Sequence, residues 1–238
     1  MSNVLIYNDD CANVIPRLSS VDHIVVDLPY FNVVDSEFDN QWKTLNEYLE
    51  WIEQLFTMIK PLLNEKSNVI VFTSRQYNRH ICNILDKLGF IEKRIIIWAR
   101  KRGFNNTRGK ALASGYEPIC YYSNSNNGVF NNIKIKVVSK RKEYNEGSLK
   151  DGITLADVWT DISALPHNSK EKVAHPTQKP ISLMERIIEV FTNEGDTILD
   201  FCMGSGSTGV ACKNLNRNFI GIEKYKQFFD IAKNRLID

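Results

Sequence analysis

Ten residues near the end of the chain, Asp200-Phe201-Cys202-Met203-Gly204-Ser205-Gly206-Ser207-Thr208-Gly209, constrain the fold more than any other stretch. They follow an apolar strand-like run, Thr197 to Leu199, and lead into a helix-like one, Val210 to Leu215. A second strand-like run, Phe219 to Ile222, then ends in the acid Glu223. Glycines let the backbone pass close to a ligand, and the helix N-terminus offers unpaired N–H groups. An acid closing the next strand can accept two hydrogen bonds from a ribose diol. The pattern predicts a parallel α/β unit with a nucleoside site at its strand ends. It does not choose the cofactor. Gly204, Gly206 and Gly209 also spell G-x-G-x-x-G, which suits a nicotinamide oxidoreductase, and a tight strand-to-helix turn without a ligand is the plain structural alternative.

The same rhythm runs through the first half. Val4 to Tyr7 reads as a strand, and His23 to Val26 as a continuous apolar run typical of a buried parallel strand. Between Asn46 and Leu63, Tyr48, Leu49, Ile52, Leu55, Phe56 and Ile59 recur at helical spacing. Asn68 to Phe72 is a strand, Ile81 to Leu88 a helix stopped by Gly89, and Ile95 to Trp98 and Ile119 to Tyr122 are further strands. This alternation predicts parallel pairing through βαβ units. From Ser123 to Leu149 the pattern gives way to Asn, Ser, Gly and Lys, the composition of a variable loop or small lobe.

Length and composition narrow the choices. At 238 residues the chain suits one α/β domain with an inserted lobe. No apolar run approaches the ~18 residues of a membrane span, and Met1 to Asp10 is too polar for a secretory signal, so a cytoplasmic protein is expected. Five scattered cysteines without a C-x-x-C pair argue against a disulfide framework and give no metal site. The net charge is +2, yet residues 93–116 carry +7 and residues 131–150 carry +4, so the remainder is −9. A polyanion-facing side on an acidic body fits that asymmetry, as does a solvated lysine-rich loop region.

Two more segments carry chemistry. Asp27-Leu28-Pro29-Tyr30 follows the strand His23 to Val26, which puts a carboxylate where α/β sheets bind ligands. The Asp27 carboxylate and the Leu28 carbonyl are two acceptors at fixed spacing, suited to an exocyclic amino group. Pro29 limits the backbone, and Tyr30 offers a flat ring for stacking, with Phe31 beside it. A capped turn with a buried tyrosine is the alternative. His175-Pro176-Thr177-Gln178-Lys179-Pro180 leads polar side chains to the start of a helix; an ordinary proline-bounded helix start accounts for it equally well.

The order and spacing of these three segments resemble one family, the β-class amino-methyltransferases of DNA, which move methyl from S-adenosylmethionine to an exocyclic base nitrogen. In that family an Asp/Ser/Asn-Pro-Pro-Tyr motif comes first. A recognition region, a His-Pro-Thr-Gln-Lys-Pro-like segment and an Asp-x-Phe/Cys-x-Gly-x-Gly loop follow. The resemblance extends to Asn8-Asp9-Asp10-Cys11, Gly115-Tyr116-Glu117-Pro118-Ile119, Asp157-Val158-Trp159 and the ending Phe219 to Leu236, leaving about residues 124–153 unmatched. Position 28 is Leu where the family usually has Pro, but the acceptor there is a backbone carbonyl that Leu also supplies. Asp at position 27 is similar to adenine-N6 enzymes, whereas cytosine-N4 enzymes usually carry Ser.

The resemblance implies a Rossmann-like seven-stranded sheet in circularly permuted order. It implies a single domain over residues 1–238, with residues 123–155 as a target-recognition insertion. The cofactor would be S-adenosylmethionine, held by Asp10, Cys11, Asp27, Thr177, Lys179, Asp200, Phe201, Gly204, Ser205, Gly206, Ser207, Thr208 and Glu223. Of these, Asp10 and Cys11 would flank its adenine, Glu223 its ribose, and Thr177 and Lys179 its amino acid end. Asp27, Leu28, Pro29 and Tyr30 would form the catalytic turn facing a flipped adenine of duplex DNA. Arg100, Lys101, Arg102, Arg108, Lys110, Lys140, Arg141 and Lys142 would hold phosphates. Methylation of cytosine N4 is the alternative, and relatives are often homodimers.

Overall fold

The computed structural model describes residues 2–33, 36, 38–104, 112–135, 153–166 and 168–237, the side chains of 101–104 and 153 excepted. In chain order the elements are β1 (Val4–Tyr7), α1 (Cys11–Val14), β2 (His23–Asp27), α2 (Leu45–Ile59), β3 (Asn68–Phe72), α3 (Asn78–Lys87), β4 (Ile91–Phe104) and β5 (Ser114–Ser123). Then come β6 (Lys134–Ile135), β7 (Ile153–Thr154), β8 (Val158–Trp159), α4 (Ile181–Phe191), β9 (Thr197–Asp200), α5 (Ser207–Asn214), β10 (Asn218–Ile222) and α6 (Lys226–Leu236). The main sheet has the order β1-β10-β9-β2-β3-β5-β4-β8.

Strands β2 and β3 are central because they are apolar on both faces. Ile24, Val26, Val69 and Val71 point into a core shared with α2 and α3. Val25, Ile70 and Phe72 point into a second core under α4 and α5. Alternate residues of a strand face opposite sides, so a continuous apolar run needs helices on both. Helix α2 provides one cover, burying Tyr48, Ile52, Leu55, Phe56 and Ile59. Its start is fixed by the Thr44 hydroxyl, which accepts from the Glu47 N–H at 3.2 Å. Helix α4 covers the other face with Leu183, Met184, Ile187 and Ile188.

The permutation is visible in the pairing. β9 and β10 end the chain and β1 begins it, yet they lie side by side and parallel, Val4 opposite Phe219 and Gly221 opposite Asp200. From the β9–β2 boundary the connections run outward in opposite directions. That makes it a topological switch point, where open α/β sheets form a crevice at their carboxyl ends.

Two expectations need correction. Strand β5 runs antiparallel to both β3 and β4, with Phe72 opposite Ile119 and Ile97 opposite Pro118. Among the described residues no helical segment separates β4 from β5, so the pair forms a long hairpin rather than a parallel crossover. The sheet also has eight strands where seven were expected, because Val158 and Trp159 add a two-residue strand parallel to the β4 edge. Strands β6 and β7 form a separate antiparallel ribbon bracketing 136–152, which lie outside the described residues.

Candidate active site

Five loops converge at the carboxyl ends of β1, β2, β9 and β10 around a cleft of about 1000 Å³ that includes its open mouth. All but one of the thirteen residues expected to hold the cofactor line it: Asp10, Cys11, Asp27, Thr177, Lys179, Asp200, Phe201, Gly204, Ser205, Ser207, Thr208 and Glu223. Gly206 shapes the wall without lining it. Gly204 and Gly206 adopt left-handed φ of 50° and 77°. A β-carbon on Gly204 would stand 2.8 Å from the His175 Nε2, so the loop has room for hydrogen only.

Two carboxylates organise the β9–β10 side. Asp200 Oδ2 accepts from the Thr208 hydroxyl at 2.6 Å, and its Oδ1 accepts from the Cys202 N–H at 3.2 Å. Burial pushes its pKa up to about 7 despite those bonds. Glu223 accepts the Gly204 N–H at 2.9 Å on one oxygen and the Tyr225 N–H at 2.8 Å on the other. Those bonds aim the carboxylate, and each oxygen keeps a second lone pair for a hydroxyl donor. Burial raises the Glu223 pKa. On the β1 side Asp10 caps α1 through the Ala12 N–H and pairs with Lys224 at 3.2 Å. Burial pushes the Cys11 thiol up to about 12, so it is a neutral wall rather than a nucleophile.

The turn after β2 is held rigidly. The Tyr48 hydroxyl donates to the Pro29 carbonyl at 2.9 Å, and Asp39 accepts the Tyr30 N–H at 2.6 Å. Leu28 is buried, and Tyr30 is 9% exposed beside the cleft. Asp27 receives two donors: the Tyr30 hydroxyl at 2.9 Å on Oδ1 and the Lys179 ammonium at 2.6 Å on Oδ2. Burial raises the Asp27 pKa, and Lys179 opposes the rise. Burial alone would lower Lys179, but Asp27 and Glu117 together hold it above the ordinary lysine value. Burial and the Asp27 charge keep the Tyr30 phenol protonated.

Three side chains have partners that their expected roles did not include, although Lys179 still lines the cleft. Lys179, expected at the cofactor's amino acid end, is paired with Asp27. Phe31 is buried and stacks on Tyr48 at 5.8 Å and against Tyr77 at 5.9 Å, so it supports the turn from behind. Arg100, expected on phosphate, has a side chain only 10% exposed and donates to Glu117 at 2.8 Å. The side chains of Lys101 and Arg102, and residues Arg108, Lys110, Lys140, Arg141 and Lys142, lie outside the described residues.

Sequence reasoning missed two contributors. Glu117 sits on β5, directly before the buried run that starts at Pro118, and reaches Lys179 at 3.4 Å. An acid embedded in a strand that is otherwise largely apolar was the available signal. The second is an aromatic cover, with Phe38, His175 and Phe228 in mutual ring contact beside the glycine loop. Their partnership joins three distant segments, which no local pattern announces.

The cleft suits a nucleoside bearing a charged amino acid. It offers a carboxylate pair of acceptors, a glycine cradle and an adjoining charged pocket. A family model described as DNA methylase matches residues 21–234. The type II methyltransferase M.HpaI of Haemophilus parainfluenzae is 32% identical over 241 residues, spanning 95% of this chain and 73% of that protein. The crystal structure of an M1.HpyAVI–SAM complex is similar with a TM-score of 0.72 at 31% identity, over 99% of this chain and 100% of that one. The cytosine-N4-specific PvuII DNA methyltransferase shares the fold at a TM-score of 0.77 and 18% identity, over 100% of this chain and 88% of that one.

Proposed function

The chain belongs to the DNA methylase family and is an S-adenosylmethionine-dependent DNA methyltransferase; from that premise we propose that it methylates the N6 atom of adenine at a specific site in duplex DNA. The observation that carries the reading is the Asp27 carboxylate. It stands at the carboxyl end of β2, at the switch point shared with β9, inside the cleft that the glycine loop walls.

When bound, S-adenosylmethionine supplies an electrophilic methyl group. The glycine loop from Gly204 to Thr208 and the Glu223 carboxylate would hold it, with Asp10 and Cys11 toward its adenine and Thr177 toward its amino acid end. The target base must leave the stack, at a cost of a few kcal/mol that stacking on the Tyr30 ring partly offsets. The amino lone pair of adenine is delocalised into the ring, so it is a poor nucleophile until its hydrogens are held. Asp27 and the Leu28 carbonyl accept those hydrogens, turn the lone pair outward and stabilise the positive charge that grows on nitrogen. Pro29 and the Tyr48 bond to its carbonyl keep the two acceptors in register. Asp27 then holds the surplus proton as the cationic amine relaxes.

Residues 123–155 serve in this reading as the target-recognition insertion of a single domain, and the basic residues of the β4–β5 hairpin other than Arg100, with those of that insertion, meet phosphates. A homodimer in the cytoplasm completes it. Among the described residues no helix is long and apolar enough to cross a membrane.

The test is product identity. Duplex DNA methylated with labelled cofactor and digested to nucleosides should yield N6-methyladenine, and single-molecule sequencing should place it in one short motif. N4-methylcytosine as the product would overturn the adenine assignment.

A further inference from the structure

Asp27 as it stands is not ready for its proposed role. One oxygen already receives an ammonium at 2.6 Å. A cation that close opposes the growth of a second cation on an amino nitrogen bound to the same carboxylate. The surroundings offer a remedy. Lys179 is 6% exposed, and its nitrogen also lies 3.4 Å from Glu117 Oε2. That oxygen is buried and makes no hydrogen bond. The other oxygen of Glu117 is pinned by Arg100 at 2.8 Å, so the carboxylate cannot turn away. The rings of Phe72 and Tyr30 flank the ammonium at 5.2 and 5.4 Å to their centroids, which favours a cation between the two acids.

We propose that Glu117 is a positioning residue for methyl transfer, the second seat of the Lys179 ammonium, which passes from Asp27 to Glu117 when the target amino group arrives. The inference rests on the reading of Asp27 as the base-facing acceptor. The two acceptors are 2.6 and 3.4 Å from the same nitrogen, so the exchange is a side-chain adjustment without backbone movement. Arg100, Glu117, Lys179 and Asp27 together are charge-neutral, and the cluster stays neutral whichever acid holds the ammonium. No proton has to move. Glu117 keeps Lys179 charged and leaves Asp27 free to accept from the base.

The experiment compares Glu117→Gln, Lys179→Gln and the double variant, with Asp27→Ala as the reference. Single-turnover methylation is measured at saturating DNA and cofactor, and cofactor affinity and thermal midpoint are followed alongside. Glu117→Gln leaves the ammonium clamped on Asp27 and should slow transfer about tenfold or more, with cofactor affinity within about twofold of wild type. Removing the ammonium as well should release the clamp, so the double variant should be faster than Glu117→Gln. A merely structural role would make the double variant slower than either single change and lower cofactor affinity with it. A wild-type rate for Glu117→Gln, or losses that multiply in the double variant, would overturn the proposal. So would a collapse of cofactor affinity in Lys179→Gln, which would put the ammonium on the cofactor instead. In each of those cases Asp27→Ala remains slow. A fast Asp27→Ala would overturn the underlying reading and the inference together.

Discussion

The Lys179 ammonium lies 2.6 Å from the Asp27 carboxylate, although the two residues are 152 positions apart in the chain. This pairing draws the loop before α4 across the end of β2 and sets one wall of the cleft. Loop geometry supports the reach: the Gln178 side chain accepts from the Val173 N–H and donates to the Glu171 carbonyl, and Glu171 in turn accepts from the Ile181 N–H. Lys179 therefore approaches from a stapled segment. Desolvation offsets much of what such a buried pair gains, so it is costly to break by removing one partner rather than a large net source of stability.

Glu223 should be the main polar anchor for the cofactor. Glu223→Ala removes its acceptors and also frees the Gly204 and Tyr225 N–H groups that it orients. Cofactor affinity should fall by ~2–3 kcal/mol, the usual range for hydrogen bonds to a charged group. Calorimetric titration with S-adenosylmethionine measures it. Glu223→Gln, which keeps one oxygen acceptor, should lose less. Unchanged affinity in the alanine variant would remove Glu223 from the cofactor site.

The parts of this site that a reader of the sequence can find are those set by neighbouring residues. Asp27 precedes a proline turn at the end of an apolar run, and Gly204 to Glu223 spell loop, helix and strand in one stretch. Hydrogen bonding there is largely local, so spacing encodes it. The direction of β5 depends on what β4 and β3 do together, and Phe72 opposite Ile119 is a pairing between distant segments. Arg100 adds to a run of positive charge in the sequence, yet its partner Glu117 lies across the hairpin and takes the guanidinium out of solvent. Lys179 and Glu117 meet only once the sheet has formed.

Stability should depend on the protonation of His175. Its burial, reinforced by the charges of Lys179 and Arg235, depresses its pKa to about 4 from an ordinary 6.5. Between those values the unfolded chain takes up a proton that the folded one refuses. Its contribution to stability is therefore intact above pH 6.5 and declines as pH falls toward 4, by up to ~3 kcal/mol. His175→Phe keeps a ring against Phe38 and Phe228 but cannot titrate. Urea unfolding at pH 7 and pH 4.5 should show a smaller pH-dependent loss in this variant than in wild type. An identical loss would assign the effect to other groups.

Salt dependence should separate the basic residues of β4. Replacing Lys101 and Arg102 with Ala should flatten the plot of log DNA affinity against log salt by up to ~1 unit for each phosphate no longer neutralised. Arg100→Gln should leave that slope unchanged, because the Arg100 side chain is already committed to Glu117. It should instead lower the thermal midpoint by uncoupling a buried charge. A flattened slope for Arg100→Gln would mean that its guanidinium reaches DNA.

Asp27 tests the account most directly. Its proposed bond to the amino group strengthens as the nitrogen becomes cationic, so it contributes chiefly in the transition state. Single-turnover methylation of duplex DNA by Asp27→Ala, with cofactor binding titrated in parallel, should show transfer slowed ~10²–10³-fold. Cofactor affinity should change little, and Asp27→Asn should fall between Ala and wild type. A near wild-type rate in Asp27→Ala would contradict the account and place the chemistry elsewhere in the cleft.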